Sequence, residues 1–401
     1  MQWLSDSIFT ENGNQEDGNQ NRVLIKGGEI EEDVTLSYQD GLAGYEVTGS
    51  ISVPVGIRMT MMPGVTLLGR RYVELQIAGY LDAAGTASEP IIFTSAMDDG
   101  PHQWRGLVFE GGTGNLEYAT VRYGGDGGTN SNIAARNVQS GSVRIANSLI
   151  ASASRGSDNT RDYGLLVEDS RVVVTDTVFQ DNGNNGYDFT VRARGDSTIT
   201  LSGNIFQDNA GYPIRIPAAS LSFMGKNTFI GNQYDTILLR GDAVLPDDAV
   251  LESQPGLFAY DFEGNLTVPD GHHLMIGAGN RLRWPVGKGL IVEGALSVSG
   301  TSDQKVTFTS ITDTGPGQWN GITFNGNANG SLDHAIVRYA LTGSTAVGQD
   351  IALRYCNVVD NSQHGIHLLG SGANFSIIGS KMNGMGSSYY ALLNDTGTQV
   401  D

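Results

Sequence analysis

The residues at 79–123, GYLDAAGTASEPIIFTSAMDDGPHQWRGLVFEGGTGNLEYATVRY, return at 294–339 as GALSVSGTSDQKVTFTSITDTGPGQWNGITFNGNANGSLDHAIVRY. Phe93-Thr94-Ser95, Asp98, Gly100-Pro101 and Gln103-Trp104 match Phe308-Thr309-Ser310, Asp313, Gly315-Pro316 and Gln318-Trp319 at one constant offset of 215. After one inserted residue, Arg122-Tyr123 matches Arg338-Tyr339. The match extends backwards through Leu36, Tyr45, Val53-Pro54 and Gly64 to Leu251, Tyr260, Val268-Pro269 and Gly279. The chain is an internal duplication, and a period this long must itself be built from shorter structural repeats.

A shorter period lies between the copies. Phe-x-x-Asn recurs at Phe179–Asn182, Phe206–Asn209 and Phe229–Asn232, at intervals of 27 and 23 residues, with related pieces at Phe9–Asn12 and Val358–Asn361. The surrounding chain shows short apolar alternations: Met59-Thr60-Met61, Ile91-Ile92-Phe93, Leu107-Val108-Phe109, Val143-Arg144-Ile145, Val172-Val173-Val174, Ile199-Thr200-Leu201, Ile214-Arg215-Ile216 and Leu221-Ser222-Phe223. Gly, Asn, Asp and Pro separate them, and each has the length of a small strand. No window carries the apolar spacing of three and four residues that an amphipathic helix needs.

Three short strands per period in the twenties predict an all-β parallel β-helix, a single-stranded solenoid of about sixteen coils. A coil is too thin to bury its own apolar face. Stacking coils about 4.8 Å apart lets each strand pair with its counterpart above and below. The Phe should then stack inward as a ladder, and the Asn should bond the backbone of the next coil. Residues 1–22 are predicted to be a polar, partly flexible segment, followed by one continuous solenoid of two units, 23–237 and an incomplete 238–401. Polar excursions are expected at 124–132 and 152–163.

Composition narrows the function classes. With 55 glycines the chain has about twice the usual share. A formal charge of −19 with no Lys/Arg cluster argues against nucleic acid as a partner. No run of 18 apolar residues is present, so no membrane span is expected. The single Cys356, in Arg354-Tyr355-Cys356-Asn357-Val358, reads as a buried, inert thiol.

The run Pro54, Gly56, Pro63-Gly64-Val65, Gly79, Gly85-Thr86, Pro90-Ile91-Ile92-Phe93-Thr94-Ser95, Trp104, Gly106 and Val121-Arg122-Tyr123 resembles the bacterial secreted right-handed parallel β-helix repeat proteins, whose fold is that of the pectate lyases. The resemblance implies a right-handed coil and a secreted or cell-surface location. It leaves activity open, because fold does not fix function.

Four sets of residues are candidates. Trp104 and Trp319, each near an acid (Asp98, Asp313), could offer a saccharide an aromatic platform beside a carboxylate. The competing reading makes them structural, since a catalytic site is rarely duplicated along a rod. Asp181 and Asp208 hold the same place in successive Phe-Gln-Asp-Asn turns, about 5 Å apart if stacked, and could bind Ca²⁺ with nearby Asn carbonyls. Galacturonan hydrolases of this fold carry Asn-Thr-Asp, Asp-Asp, Gly-His and Arg-Ile-Lys motifs; here only Asp98-Asp99 and Ile214-Arg215-Ile216 remain as fragments. Asp208 with Arg215 is the fallback for lyase chemistry, and His364 with His367 is too sparse for a metal site.

The expected function is a non-catalytic segment of a longer surface or secreted chain, serving as a stalk or adhesin that contacts a polysaccharide or cell-surface glycan. The runner-up is a polysaccharide lyase or glycoside hydrolase.

Overall fold

The computed structural model describes residues 21–154, 161–347, 350–369 and 375–395. Short strands that alternate apolar and polar residues have one way to satisfy both faces and both edges: apolar side chains turn inward, and each backbone pairs with the strands one turn before and after. Val172 and Val174 are buried while Val173 between them faces outward, and all three pair in parallel register with Val143–Ala146 on one side and Thr198–Ser202 on the other. The result is an all-β solenoid of about 14 turns with three strands per turn. The count falls below sixteen because some turns are long; Ile133 pairs with Leu165, 32 residues on.

The described residues form two compact units, residues 21–215 with 227–235, and residues 216–226 with 236–395. In the first unit one sheet runs through Arg22–Ile25, Gly44–Val47, Thr66–Gly69, Ile91–Ser95, Ala119–Arg122, Leu149–Ala151, Val178–Gln180, Ile205–Gln207 and Thr228–Ile230, every neighbour parallel. The second unit repeats the plan from Thr236–Arg240 onward.

The ladders form as the Phe-x-x-Asn period predicts. Phe179, Phe206 and Phe229 stack with centroids 4.9 and 5.4 Å apart and ring planes within 8°. Each buried ring contributes about 1.5–3 kcal/mol of apolar transfer. Asn182, Asn209 and Asn232 are buried; Asn182 N–H donates to Asn209 Oδ1 (3.0 Å), and Asn209 Nδ2 donates to the Phe179 carbonyl (3.0 Å) and to Asn232 Oδ1 (2.7 Å). Asn361 does the same for the Ala340 N–H at 2.8 Å. The Asp before three of these Asn residues turns the corner in the left-handed region, with φ of 52° at Asp181, 54° at Asp208 and 53° at Asp360. A short polar side chain tolerates that backbone better than most.

Two local readings need correction. Leu221-Ser222-Phe223 is part of a 3₁₀ turn, Ala218–Phe223, not a strand. Pro217 precedes it with φ −58° and has no N–H to extend a ladder. Of the segment 124–132 only 124–130 leaves the ladder, and it packs back with Asp126 and Thr129 buried, while Ser131 and Asn132 already belong to the strand Ser131–Arg136. The Phe9–Asn12 pattern lies outside the described residues, as do the predicted flexible segment up to residue 20 and the middle of the 152–163 excursion.

Candidate functional site

The duplicated loop is a fastening. Trp104 and Trp319 are fully buried, and each indole Nε1–H donates to a carbonyl one turn on, Arg122 O at 2.7 Å and Arg338 O at 2.8 Å. Neither offers a ring face on which a sugar could stack, so the saccharide-platform expectation is corrected: a ring that fills the corner cannot also meet solvent. Asp98 and Asp313 take the guanidinium of Arg122 and Arg338 through both Nε (3.0 Å each) and Nη2 (2.6 and 2.5 Å), and accept the Thr94 and Thr309 hydroxyls. Their N–H groups donate to Ser95 and Ser310. Both acids are occupied in holding the loop to its sheet.

The calcium and lyase fallbacks are also rearranged. Asp181 and Asp208 are exposed corner residues, while Asn182 and Asn209 beside them turn inward with their Oδ1 atoms already accepting N–H bonds. The Asn carbonyls that calcium would need are therefore committed to the ladder. Among the described residues no group of three or more His, Cys, Asp or Glu side chains is gathered. Arg215 lies over the Phe189 ring at 5.3 Å, and the Asp208 carboxylate stands over Gly231 of the next turn. His364 and His367 approach to 5.2 Å between rings, with His367 bonded to Asp395.

Where the two copies differ, unit one opens a cleft of about 800 Å³, lined by Arg22, Glu46, Thr48, Gly69, Arg70, Arg71, Met97, His102 and Gln103. Gly69 is among its walls. A Cβ there would stand 2.6 Å from the Trp104 ring, so the indole packs on bare backbone. Its counterpart in the second copy is Trp284, a fully buried ring that stacks on Trp319 at 5.1 Å. Pro285 and Val286 stand for Arg70 and Arg71, and by strand register Thr236 stands for Arg22.

The cleft has a buried anionic floor under a cationic rim. Glu46 accepts from Arg22 Nη1 (2.9 Å) and Arg70 Nε (2.5 Å). Burial pushes its carboxyl up, but the two arginines outweigh that and hold it below the usual glutamate range. In the second copy Asp261 meets one arginine, Arg283, at 2.6 and 2.7 Å, and there burial wins, pushing the carboxyl up. Buried Asp126, from the folded-back segment, accepts the Tyr72 N–H (3.1 Å) and faces Arg71 Nε (3.4 Å) and His102 Nε2 (3.3 Å). Three guanidiniums thus share two buried carboxylates, and Arg70 and Arg71 keep 53% and 62% of their side chains in solvent.

Two rim residues stand in strained backbone. Tyr72 (φ 64°) and His102 (φ 61°) occupy left-handed positions, and the second copy has Gly287 (φ 77°) and Gly317 (φ 76°) there. A side chain in that region costs about 1–2 kcal/mol that glycine avoids. Tyr72 is 56% exposed, with the Arg71 guanidinium 4.9 Å from its ring centroid. The matches between the two copies do not reveal this cleft. The signal was in the mismatches: Gly69 against Trp284, Tyr72 against Gly287, His102 against Gly317.

Residues 28–144 match a family described as pectate-lyase-like beta helix domain, and residues 131–267 match one described as right handed beta helix region. The chain has the right-handed parallel β-helix fold of the pectate-lyase-like type. No curated protein and no solved structure matches it. Among the described residues no helix is long and apolar enough to cross a membrane.

Proposed function

We propose that the chain is a non-catalytic, extracellular β-helix segment that contacts an acidic polysaccharide through the cleft of its first unit. One observation carries the reading: unit one places Tyr72 and His102 in left-handed positions that the second copy gives to glycine, Tyr72 with its ring against Arg71 and His102 lining the cleft with Arg70 and Arg71. Strain kept in one copy and relieved in the other supports a role beyond folding. The rim carries excess positive charge in a chain of net charge −19, which favours carboxylated saccharides over neutral ones. The exposed Tyr72 ring beside Arg71 suits the apolar face of a sugar. The volume falls within the roughly 300–1,000 Å³ usual for ligand sites.

The catalytic alternative has one feature in its favour, the His102–Asp126 contact beside Arg71. Both readings are tested together by measuring retention on polygalacturonate, alginate and dextran, with cleavage followed at 235 nm and by reducing ends. Tyr72→Gly and His102→Gly should keep or raise the melting temperature while weakening retention on the acidic polymers about tenfold. Unchanged retention in both variants, and in Arg70→Ala/Arg71→Ala, overturns the cleft as the site. Unsaturated products that vanish in His102→Gly replace the binding role with a lyase.

A further inference from the structure

A second cationic surface in unit one belongs to neither the cleft nor the duplicated loop. Tyr163, Phe189 and Tyr212 open successive strands of one sheet; the register of Tyr163–Glu168 with Phe189–Arg194 brings Tyr163 beside Phe189, and Phe189 pairs directly with Tyr212. Tyr234 continues the column, with centroids 5.9 Å from Phe189 to Tyr212 and 4.6 Å from Tyr212 to Tyr234. Phe189 is buried and Tyr234 is 41% exposed. Three guanidiniums converge on the Phe189 ring: Arg161 at 5.1 Å, Arg215 at 5.3 Å and Arg192 at 5.7 Å. Arg192 and Arg215 pair in register on adjacent strands, about 4.8 Å apart along the stack.

Like charges this close repel unless something offsets them. The ring offsets part of it. Among the described residues Asp188 does little more, since it is buried and taken up by the N–H groups of Asp162, Asn184 and Asn185. Among the described residues Arg161 and Arg192 have no carboxylate partner, although Arg192 donates to the Tyr163 hydroxyl, and the Arg192 Nε is buried without a hydrogen bond.

We propose that Arg161 and Arg192, with Arg215 beside them, form a site for the tetrahedral oxyanion of a sulfate or phosphate ester carried on a saccharide, whose sugar ring lies along Tyr212 and Tyr234. Such an ester presents three terminal oxygens to converging guanidiniums, where a carboxylate presents two. Site and cleft are separate: this one takes esters, the other carboxylates.

The test is affinity of the full chain for dextran sulfate, phosphorylated mannan, polygalacturonate and dextran. Arg161→Gln/Arg192→Gln keeps much of the side-chain cover over Phe189, and hydrogen exchange of the Phe189–Arg194 strand checks that it stays folded. The parent should bind at least one esterified polymer, and the double variant should lose about tenfold or more of that affinity with a shallower dependence on salt. Binding of dextran sulfate alone assigns a sulfate ester; of phosphorylated mannan alone, a phosphate ester. Affinity within twofold of the parent in a folded double variant, loss only in Arg70→Ala/Arg71→Ala, or equal arginine-dependent binding of polygalacturonate overturns the proposal.

Discussion

Gly69 and Trp104 are predicted to be energetically coupled, and a double-mutant cycle measures how strongly. The Gly69 backbone lies outside the left-handed region, so Ala is tolerated there by conformation alone. What opposes it is the indole: the new Cβ would stand 2.6 Å from Trp104 Cε3 and 3.0 Å from Cδ2, inside any contact distance. Moving a fully buried ring that also holds the Arg122 carbonyl costs about 1–3 kcal/mol. Trp104→Ala alone should cost about 3–5 kcal/mol. With the ring gone, Gly69→Ala meets no indole, so the pair should be about 1–3 kcal/mol less destabilising than the sum of the singles. A solenoid unfolds in parts, so the readout is local: hydrogen exchange of the strands Thr66–Gly69 and Ile91–Ser95 in the four proteins. Additive effects within about 0.5 kcal/mol would show that the ring does not rest on Gly69.

Asn209→Ala removes two donor bonds and an acceptor that serves both Asn182 N and Asn182 Nδ2, and should lower local stability at Val178–Gln180 and Ile205–Gln207 by about 3–5 kcal/mol; a loss below about 1 kcal/mol by hydrogen exchange refutes the ladder's role. Acid should act oppositely on the two copies. Glu46 is held below its ordinary 4.5, so the unfolded state takes up its proton first and the stability Glu46 contributes is lost as pH falls through its lowered value. Asp261 is raised above 3.8, so the folded state takes up the proton first and stability at that site rises as pH falls through the raised value. Exchange at Gly44–Val47 and Ala259–Phe262, corrected for intrinsic rates across this range, should diverge; parallel behaviour refutes the assignment.

The fold was legible because it rests on local and periodic information. The Phe-x-x-Asn spacing fixes which residues meet one turn later, and strict alternation, as at Val172-Val173-Val174, fixes which face turns inward. The duplication marked Trp104 and Trp319 as equivalent, and their repetition favoured a structural role, which matches two indoles buried in two corresponding corners. Leu221-Ser222-Phe223 failed because its pattern cannot register what Pro217 does to the backbone just before it.

The sites were another matter. Arg22, Glu46, Arg70 and His102 line one cleft and Asp126 meets it through His102, yet they lie up to 104 residues apart and nothing in their spacing announces it. Only the folded chain decides this, because each long-range contact depends on how many residues every turn spends before it rejoins the ladder. Sequence alone determined the coil, its inward face and its repetition, since those follow from periodicity. Tertiary structure decided that Asp126 returns to Arg71, that three arginines meet at Phe189, and that the Trp104 ring rests on bare backbone at Gly69 where the second copy stacks Trp284 on Trp319.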